Sequence, residues 1–233
     1  MSQEVLDSKE KDLTKVSFVI CDWDGTLVDS MPAYVRCFVK ALEEFGIDPD
    51  ILKNYYMSTS GTPLHNQIRD VVKKFAGKDL TDSNELEKQF FDHYLQMGDI
   101  QTLDGAKDTL VCLKKNGYKI VVWSGTRTDI LGNKLKQTRL GDYVDFYIGN
   151  VPGDDRMVKG PGPFAQIAKH FQIPVKKLQR ESIVIGDRIG DIEAGKNSGT
   201  RTIGLGPQRE KLAQAGADFT ISNIDELPSL FKL

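Results

Sequence analysis

Residues 16–30 read VSFVICDWDGTLVDS, an apolar run that stops at two closely spaced aspartates. Because Val16–Cys21 is rich in β-branched residues and is followed by DWDG, it predicts a buried strand that ends in a turn. In an extended chain, Asp22 and Asp24 project to the same side. Two carboxylates this close repel each other, so we expect a hard cation, a proton, or both beside them. The alternative for this segment alone is a turn in which the two aspartates only precede Gly25.

Further apolar runs downstream predict the remaining strands of one sheet. Two of them are strong, Lys119–Trp123 (KIVVW) and Ser182–Ile185 (SIVI). Three weaker runs span Val144–Ile148, Arg201–Ile203 and Asp218–Ile221. Helical patterns alternate with these runs, at Ala106–Lys115, Phe164–Phe171, Ile189–Asn197 and Ile224–Phe231. This alternation predicts an α/β fold in which helices cover both faces of a parallel sheet.

The stretch from residue 31 to residue 100 has a different pattern, because it contains helical segments and no convincing strand. The helical segments are Ala33–Phe45, Leu64–Phe75 and Asn84–Met97. We therefore predict three parts, which are a flexible N-terminal tail at 1–15, a core made of 16–30 and 101–233, and a helical domain at 31–100. A helical domain inserted after the first strand can act as a lid over a pocket.

The composition and charge of the chain restrict the binding partners and the cellular location that we expect for it. Its 233 residues carry a formal net charge of −2, so no overall field attracts nucleic acid or an anionic membrane. The polar N-terminus lacks a signal-peptide core, and no apolar run approaches the ~18 residues that span a bilayer. Three cysteines without a CxxC pair favour a reducing compartment. We predict a cytoplasmic monomer or homodimer that binds neither nucleic acid nor membrane.

Polar residues follow the other strong strands, at the sheet edge where α/β proteins bind ligands. Ser124 and Gly125 end the run KIVVW, and a hydroxyl beside a glycine amide can hold phosphate oxygens. Asp187 ends the run SIVI, and Asp191 follows in the first turn of the next helix, so both can serve a cation. Lys159, in the loop MVKGPGPF, suits a phosphate or offsets several carboxylates. Each feature alone also fits a strand end, a helix cap or a surface charge.

Taken in order along the chain, these motifs resemble the haloacid dehalogenase-like hydrolase superfamily, in particular its phosphoglycolate phosphatase and β-phosphoglucomutase branch. The resemblance runs from about Val16 to the C-terminus. It is strongest in DWDGTLVDS (residues 22–30) and in IGDRIGDIEAGKNSGTRTIGLG (residues 185–206). The family implies a Rossmann-like parallel sheet core with a small α-helical cap inserted after strand one. It also implies a Mg²⁺-dependent phosphatase of small phosphorylated metabolites, such as phosphoglycolate or sugar phosphates.

The resemblance implies a role for each matching residue. Asp22 attacks phosphorus to form an aspartyl-phosphate, and Asp24 protonates the leaving oxygen and then activates water. Mg²⁺ is held by the carboxylates of Asp22 and Asp187 and by the backbone carbonyl of Asp24. Asp191 supports the metal or orients Lys159. The transferring phosphate oxygens are held by side chains and by backbone amides around the two glycine turns, a set that comprises Gly25, Thr26, Ser124, Gly125 and Lys159.

Departures from the family pattern leave some placements open. Gly160 stands between Lys159 and Pro161, where the family commonly has proline directly after the lysine. Arg188 follows Asp187, where the family often has serine. The sequence does not decide whether Arg188, or a further set comprising Arg127, His65 and Arg69, contacts the substrate.

Three other functions share parts of this pattern. A β-phosphoglucomutase-like phosphomutase uses the same aspartyl-phosphate, although Thr26 after DxDG is more typical of phosphatases. A receiver-type phosphoacceptor module also combines acids, a hydroxyl and a lysine, but it is about half this length and has its acceptor on a middle strand. A dehalogenase needs no metal and would not require Asp187 and Asp191.

Overall fold

The computed structural model describes residues 13–59, 62–98, 100–151 and 159–233. Most of the tail predicted at 1–15 therefore lies outside the described residues. The chain divides into two compact units, and each is described by itself. The first unit comprises two segments, the chain up to Asp29 and Gln101–Leu233. The second unit is Ser30–Ile100.

The first unit is built on a six-stranded sheet with parallel pairing throughout. In chain order its strands are β1 (Phe18–Cys21), β4 (Lys119–Arg127), β5 (Phe146–Asn150), β6 (Ser182–Gly186), β7 (Arg201–Leu205) and β8 (Phe219–Ile221). Their order across the sheet is β5-β4-β1-β6-β7-β8. Two short strands, β2 (Val28–Asp29) and β3 (Gln101–Thr102), form a separate antiparallel pair. The predicted α/β fold with a parallel sheet is confirmed.

Helices connect the strands of this unit. They are α5 (Ala106–Lys115), α6 (Thr128–Gln137), α7 (Pro161–His170), α8 (Val175–Glu181), α9 (Ile189–Asn197), α10 (Arg209–Gln214) and α11 (Leu227–Leu230). Short 3₁₀ turns occur at Leu140–Tyr143 and Ile224–Glu226. All four residues of β1 are buried, because this strand is flanked by β4 and β6 within the sheet. Its apolar run therefore provides the centre of the core, and its end is fixed in space.

The second unit is helical. Its helices are α1 (Met31–Ala41), α2 (Pro49–Ser58), α3 (Leu64–Ala76) and α4 (Asn84–Gln96), with a 3₁₀ turn at Glu43–Phe45. Helix α2 is absent from the sequence-based prediction, although Asp48 caps it by accepting hydrogen bonds from the amides of Asp50 and Ile51. Buried aromatic and aliphatic side chains, including Phe38, Val71 and Phe90, form its core.

No helix in the described part of the chain combines the length and the apolar character needed to cross a bilayer. The predicted cytoplasmic location and the predicted monomer or homodimer stay predictions.

Candidate active site

The candidate site lies where three neighbouring strands of the first unit end. Asp22 directly follows β1, and its amide donates a hydrogen bond to the carbonyl of Ile185 in β6 at 2.8 Å. Asp187 directly follows β6, and Ser124 lies in the last part of β4. Because β4, β1 and β6 are adjacent and parallel, their carboxyl ends meet at one edge of the sheet. This edge brings together residues that are far apart in the sequence.

Three carboxylates form a compact acidic group at this edge. One oxygen each from Asp22, Asp187 and Asp191 lies within 4.8 Å of the others. Burial, together with the charge of Asp191, raises the pKa of Asp187 to about 6. Its Oδ1 is buried and has no hydrogen-bond partner among the described residues. A buried set of carboxylate oxygens with an unsatisfied member fits a hard cation such as Mg²⁺.

The side chain of Lys159 lies against this acidic group. Its ammonium donates to Oδ1 of Asp22 and, at 2.6 Å, to Oδ1 of Asp191. Burial alone would lower the pKa of Lys159, but the two carboxylates outweigh it and raise that pKa. Burial raises the pKa of Asp22 well above its usual range, although Lys159 opposes the shift. Lys159 is thus a charged partner of the acidic group and not a surface lysine.

The residue that separates Lys159 from proline does not prevent this contact. Gly160 has a φ of 145°, a conformation that glycine adopts without steric cost. Helix α7 then begins at Pro161, whose fixed φ suits a first helical position. The extra residue is therefore accommodated in the turn before α7, and Lys159 still reaches Asp22 and Asp191.

Two glycines allow the acidic side chains to lie close to the backbone. A β-carbon on Gly25 would lie 2.4 Å from Oδ2 of Asp187, and one on Gly186 would lie 2.3 Å from the β-carbon of Asp191. Asp191 also accepts a hydrogen bond from the amide of Arg188 at 3.1 Å, which closes the first turn of α9. Asp191 therefore accepts a hydrogen bond from Lys159 and caps a helix at the same time.

The carboxyl of Asp24 lies in a different environment from that of Asp22. Its Oδ2 accepts hydrogen bonds from the hydroxyl of Ser124 at 3.3 Å and from that of Thr126 at 3.0 Å. Ser124 also accepts a hydrogen bond from the amide of Thr126 at 2.9 Å. Thr126 was not among the predicted site residues, although its position two residues after Ser124 places both side chains on one side of an extended chain.

A family model described as haloacid dehalogenase-like hydrolase matches residues 19–205, which is more than half of the chain. The chain belongs to this family. The match includes every predicted site residue, from Asp22 to Asp191.

Two curated relatives of this chain carry phosphatase names. A phosphoglycolate phosphatase of Aquifex aeolicus is 28% identical, over 91% of this chain and 95% of its own length. A pyrophosphatase PpaX of Listeria monocytogenes is 26% identical, over 94% of this chain and 97% of its own length. The predicted family and the prediction of a phosphatase are confirmed.

A solved structure supports the fold of this family member. The crystal structure of a predicted phosphoglycolate phosphatase from Haemophilus somnus has a TM-score of 0.78. It is 22% identical and covers 94% of this chain and 99% of its own. Membership of the family also excludes the receiver-type module as an alternative.

The remaining candidates for phosphate binding differ in their surroundings. Thr26 is fully buried, and its hydroxyl has no hydrogen-bond partner among the described residues. The amide of Gly25 donates a hydrogen bond to the carbonyl of Val28 at 2.8 Å. Glycine is needed at this position because its φ is 78° and because a β-carbon would meet Asp187. Gly125 is exposed in the last part of β4.

The four positions that the sequence left open also have distinct surroundings. The guanidinium of Arg188 is half-exposed, with Nε 3.9 Å from Oδ2 of Asp187. Arg127 instead pairs through two hydrogen bonds with its neighbour Asp129. In the helical unit, Arg69 donates to the carbonyl of Thr81 at 3.0 Å, and His65 is exposed on α3. Arg188 thus lies beside the acidic group.

Proposed function

We propose that this phosphatase is Mg²⁺-dependent and hydrolyses small phosphomonoesters through an aspartyl-phosphate on Asp22. The observation that carries the proposal is the contrast between two carboxyl groups two residues apart. Asp22 lies in the acidic group and accepts a hydrogen bond from Lys159, whereas Asp24 is held by two hydroxyls. This contrast supports a nucleophilic role for Asp22, beside positive charge, and a proton-transfer role for Asp24.

The first half of the reaction transfers the phosphoryl group to the protein. A carboxylate oxygen of Asp22 attacks phosphorus, and the bond between phosphorus and the leaving oxygen breaks. The carboxylic acid of Asp24 gives its proton to that oxygen, so that the product leaves with a hydroxyl group and not as an alkoxide. Lys159 and Ser124 hold the transferring oxygens, since positioning and charge neutralisation are the main needs of phosphoryl transfer.

The second half regenerates the enzyme. Water attacks the phosphorus of the aspartyl-phosphate, and the carboxylate of Asp24 takes one of its protons. The bond between phosphorus and Asp22 breaks, which restores the carboxylate and releases inorganic phosphate. The same two residues therefore act in both halves, and Asp24 alternates between acid and base.

Asp22 and Asp187, with the backbone carbonyl of Asp24, are the residues that would hold Mg²⁺, and Asp191 supports them. The support for this set is the cluster of carboxylate oxygens within 4.8 Å and the unsatisfied Oδ1 of Asp187. When bound, Mg²⁺ reduces the repulsion between the carboxylate nucleophile and the anionic phosphate.

The names of the curated relatives support a proposal for the substrate class. The relatives' names point to phosphoglycolate and to pyrophosphate, both small and highly charged. We place phosphoglycolate and sugar phosphates first, with pyrophosphate as the second candidate. The half-exposed guanidinium of Arg188 beside Asp187 supports an anionic substrate.

The test is a panel of these phosphates, assayed for phosphate release with Mg²⁺ and with a chelator. Asp22→Asn should lower kcat/KM by more than about 10³-fold, because the nucleophile is lost. The matched control is Asp29→Asn, the same change at an exposed position of β2, which should retain full activity. Full activity of Asp22→Asn would overturn the assignment. Conversion of a sugar 1-phosphate to its 6-phosphate without phosphate release would favour the phosphomutase instead.

A further inference from the structure

Thr126 provides a second hydroxyl that donates a hydrogen bond to the carboxyl of Asp24. Its Oγ1 donates to Oδ2 at 3.0 Å, which is closer than the hydroxyl of Ser124 at 3.3 Å. Thr126 is 6% exposed, so bulk water competes little for this bond. Both hydroxyls meet at the same carboxyl oxygen, and a carboxyl held in this way has a restricted orientation.

The backbone around Thr126 is fixed from two sides. Its amide donates to the hydroxyl of Ser124 at 2.9 Å, within the last part of β4. On the other side, β5 passes so close that a β-carbon on Gly149 would lie 2.2 Å from the carbonyl oxygen of Thr126. The register between β4 and β5 shifts between Trp123 and Arg127, which marks an irregularity in the strand that carries both hydroxyls.

We propose that Thr126 is a positioning residue for Asp24, an inference that rests on the acid–base role of Asp24 in the proposed function. The hydroxyls hold Oδ2, so that Asp24 exchanges its proton with the leaving group and with water through Oδ1. Ser124 is also expected to bind the transferring phosphate. When its hydroxyl turns to the phosphate, Thr126 keeps a donor on Asp24 and maintains the orientation needed for proton transfer.

This role predicts a dependence on the leaving group. An alcohol is a poor leaving group and needs the proton of Asp24, whereas 4-nitrophenolate leaves without one. In Thr126→Val, kcat/KM for the best alkyl phosphate of the panel should fall about tenfold or more. For 4-nitrophenyl phosphate, the same variant should lose less than about threefold, since binding and nucleophilic attack are retained. Thr126→Ser, which restores a hydroxyl, should recover most of the loss.

A matched control is Thr128→Val, the same change two residues further on. The hydroxyl of Thr128 bridges the carbonyl and the amide of Gly149, at 3.0 Å each. Its loss should leave the ratio of the two kcat/KM values unchanged. The unfolding midpoint of each variant shows whether it is folded. If Thr126→Val does not fold, Thr126→Ala, which also lacks the hydroxyl, provides the same comparison of alkyl and 4-nitrophenyl phosphates.

Two results would contradict the inference, and they distinguish an error in the role of Thr126 from an error in the role of Asp24. Equal losses for alkyl and 4-nitrophenyl phosphates in Thr126→Val overturn the positioning role alone, since a structural defect lowers both. Undiminished hydrolysis of alkyl phosphates by Asp24→Asn overturns the acid–base assignment in the proposed function, and with it this inference.

Discussion

The carboxylate of Asp187 occupies the space that a side chain at Gly25 would need. A β-carbon built on Gly25 lies 2.4 Å from Oδ2 of Asp187 and 2.8 Å from its carboxyl carbon. The turn that follows β1 and the end of β6 are therefore in direct contact through a glycine. Any side chain at this point has to displace Asp187, which belongs to the acidic group.

Gly25→Ala should lower kcat/KM by about 100-fold, because an aspartate of the site is displaced by about an ångström. The control is Gly117→Ala, since Gly117 has a similar φ of 83° but nothing within 4 Å of its β-carbon. In both variants an alanine has to adopt a left-handed conformation, which lowers the unfolding free energy by about 1–2 kcal/mol. Steady-state kinetics and urea unfolding check this pair, and equal activities would contradict the role of the contact.

Mg²⁺ should stabilise the folded protein without any substrate. At about 100 times its dissociation constant, a ligand that binds only the folded state adds about 2.7 kcal/mol of unfolding free energy. Thermal unfolding with a chelator and with increasing Mg²⁺ measures this shift. Asp187→Asn should remove most of it, because the variant lacks a carboxylate of the acidic group. Asp79→Asn, an exposed carboxylate bonded to Lys73, serves as the control and should keep the full shift.

Lys159→Met should destabilise the metal-free protein by about 3 kcal/mol, since it leaves Asp22 and Asp191 buried without their cation. Urea unfolding in the presence of a chelator measures this loss. Asp191→Asn removes one of the two carboxylates, so the double variant should lose less than the sum of the single losses. Strict additivity of the two losses would show that the lysine and the aspartate are energetically independent.

Asp145 links the stability of the first unit to pH. Burial alone would raise its pKa, but hydrogen bonds from Lys114 and from the amide of Ile120, each at 2.8 Å, outweigh it and lower the pKa. A lowered pKa adds stability above the unfolded value of about 3.9, and this gain is lost as the pH falls through the folded value.

Asp145→Asn should therefore cost about 1–2 kcal/mol of unfolding free energy at pH 7. The difference from the wild type should shrink as the pH falls below about 4. Urea unfolding over a pH series measures both, and Asp142→Asn, at an exposed position of the same segment, is the control. A difference that grows in acid would contradict the sign of this linkage.

The sequence predicts those elements whose apolar run ends at a clear stop. Helix α5 was predicted with the bounds that it has, since Asn116 and Gly117 end its apolar pattern. Helix α9 also has its predicted bounds, and β6 extends the predicted strand by one residue. By contrast, α8 and α10 were not predicted, because they are short and strongly charged. The two-residue strands β2 and β3 are too short to show any periodicity.

The sequence likewise predicts only the part of the site whose residues stand at clear strand ends. Aspartates at strand ends stand out in the sequence, so the acidic group of Asp22, Asp187 and Asp191 follows from the parallel sheet. Thr126 does not stand out, because β4 was expected to end before it. The strand continues to Arg127, which pairs with Asn150 of β5, and such pairing depends on a distant segment. Contacts of this kind require the structure.

The short β2–β3 pair has a consequence for how this chain can change. Asp29 and Gln101 lie opposite each other in that pair, so the chain leaves the sheet unit and returns to it at neighbouring positions. Closing a loop between fixed, adjacent ends costs only about 0.6 kcal/mol more for each doubling of its length. Residues 30–100 therefore form a cassette that evolution can lengthen, shorten or exchange while the sheet keeps its register.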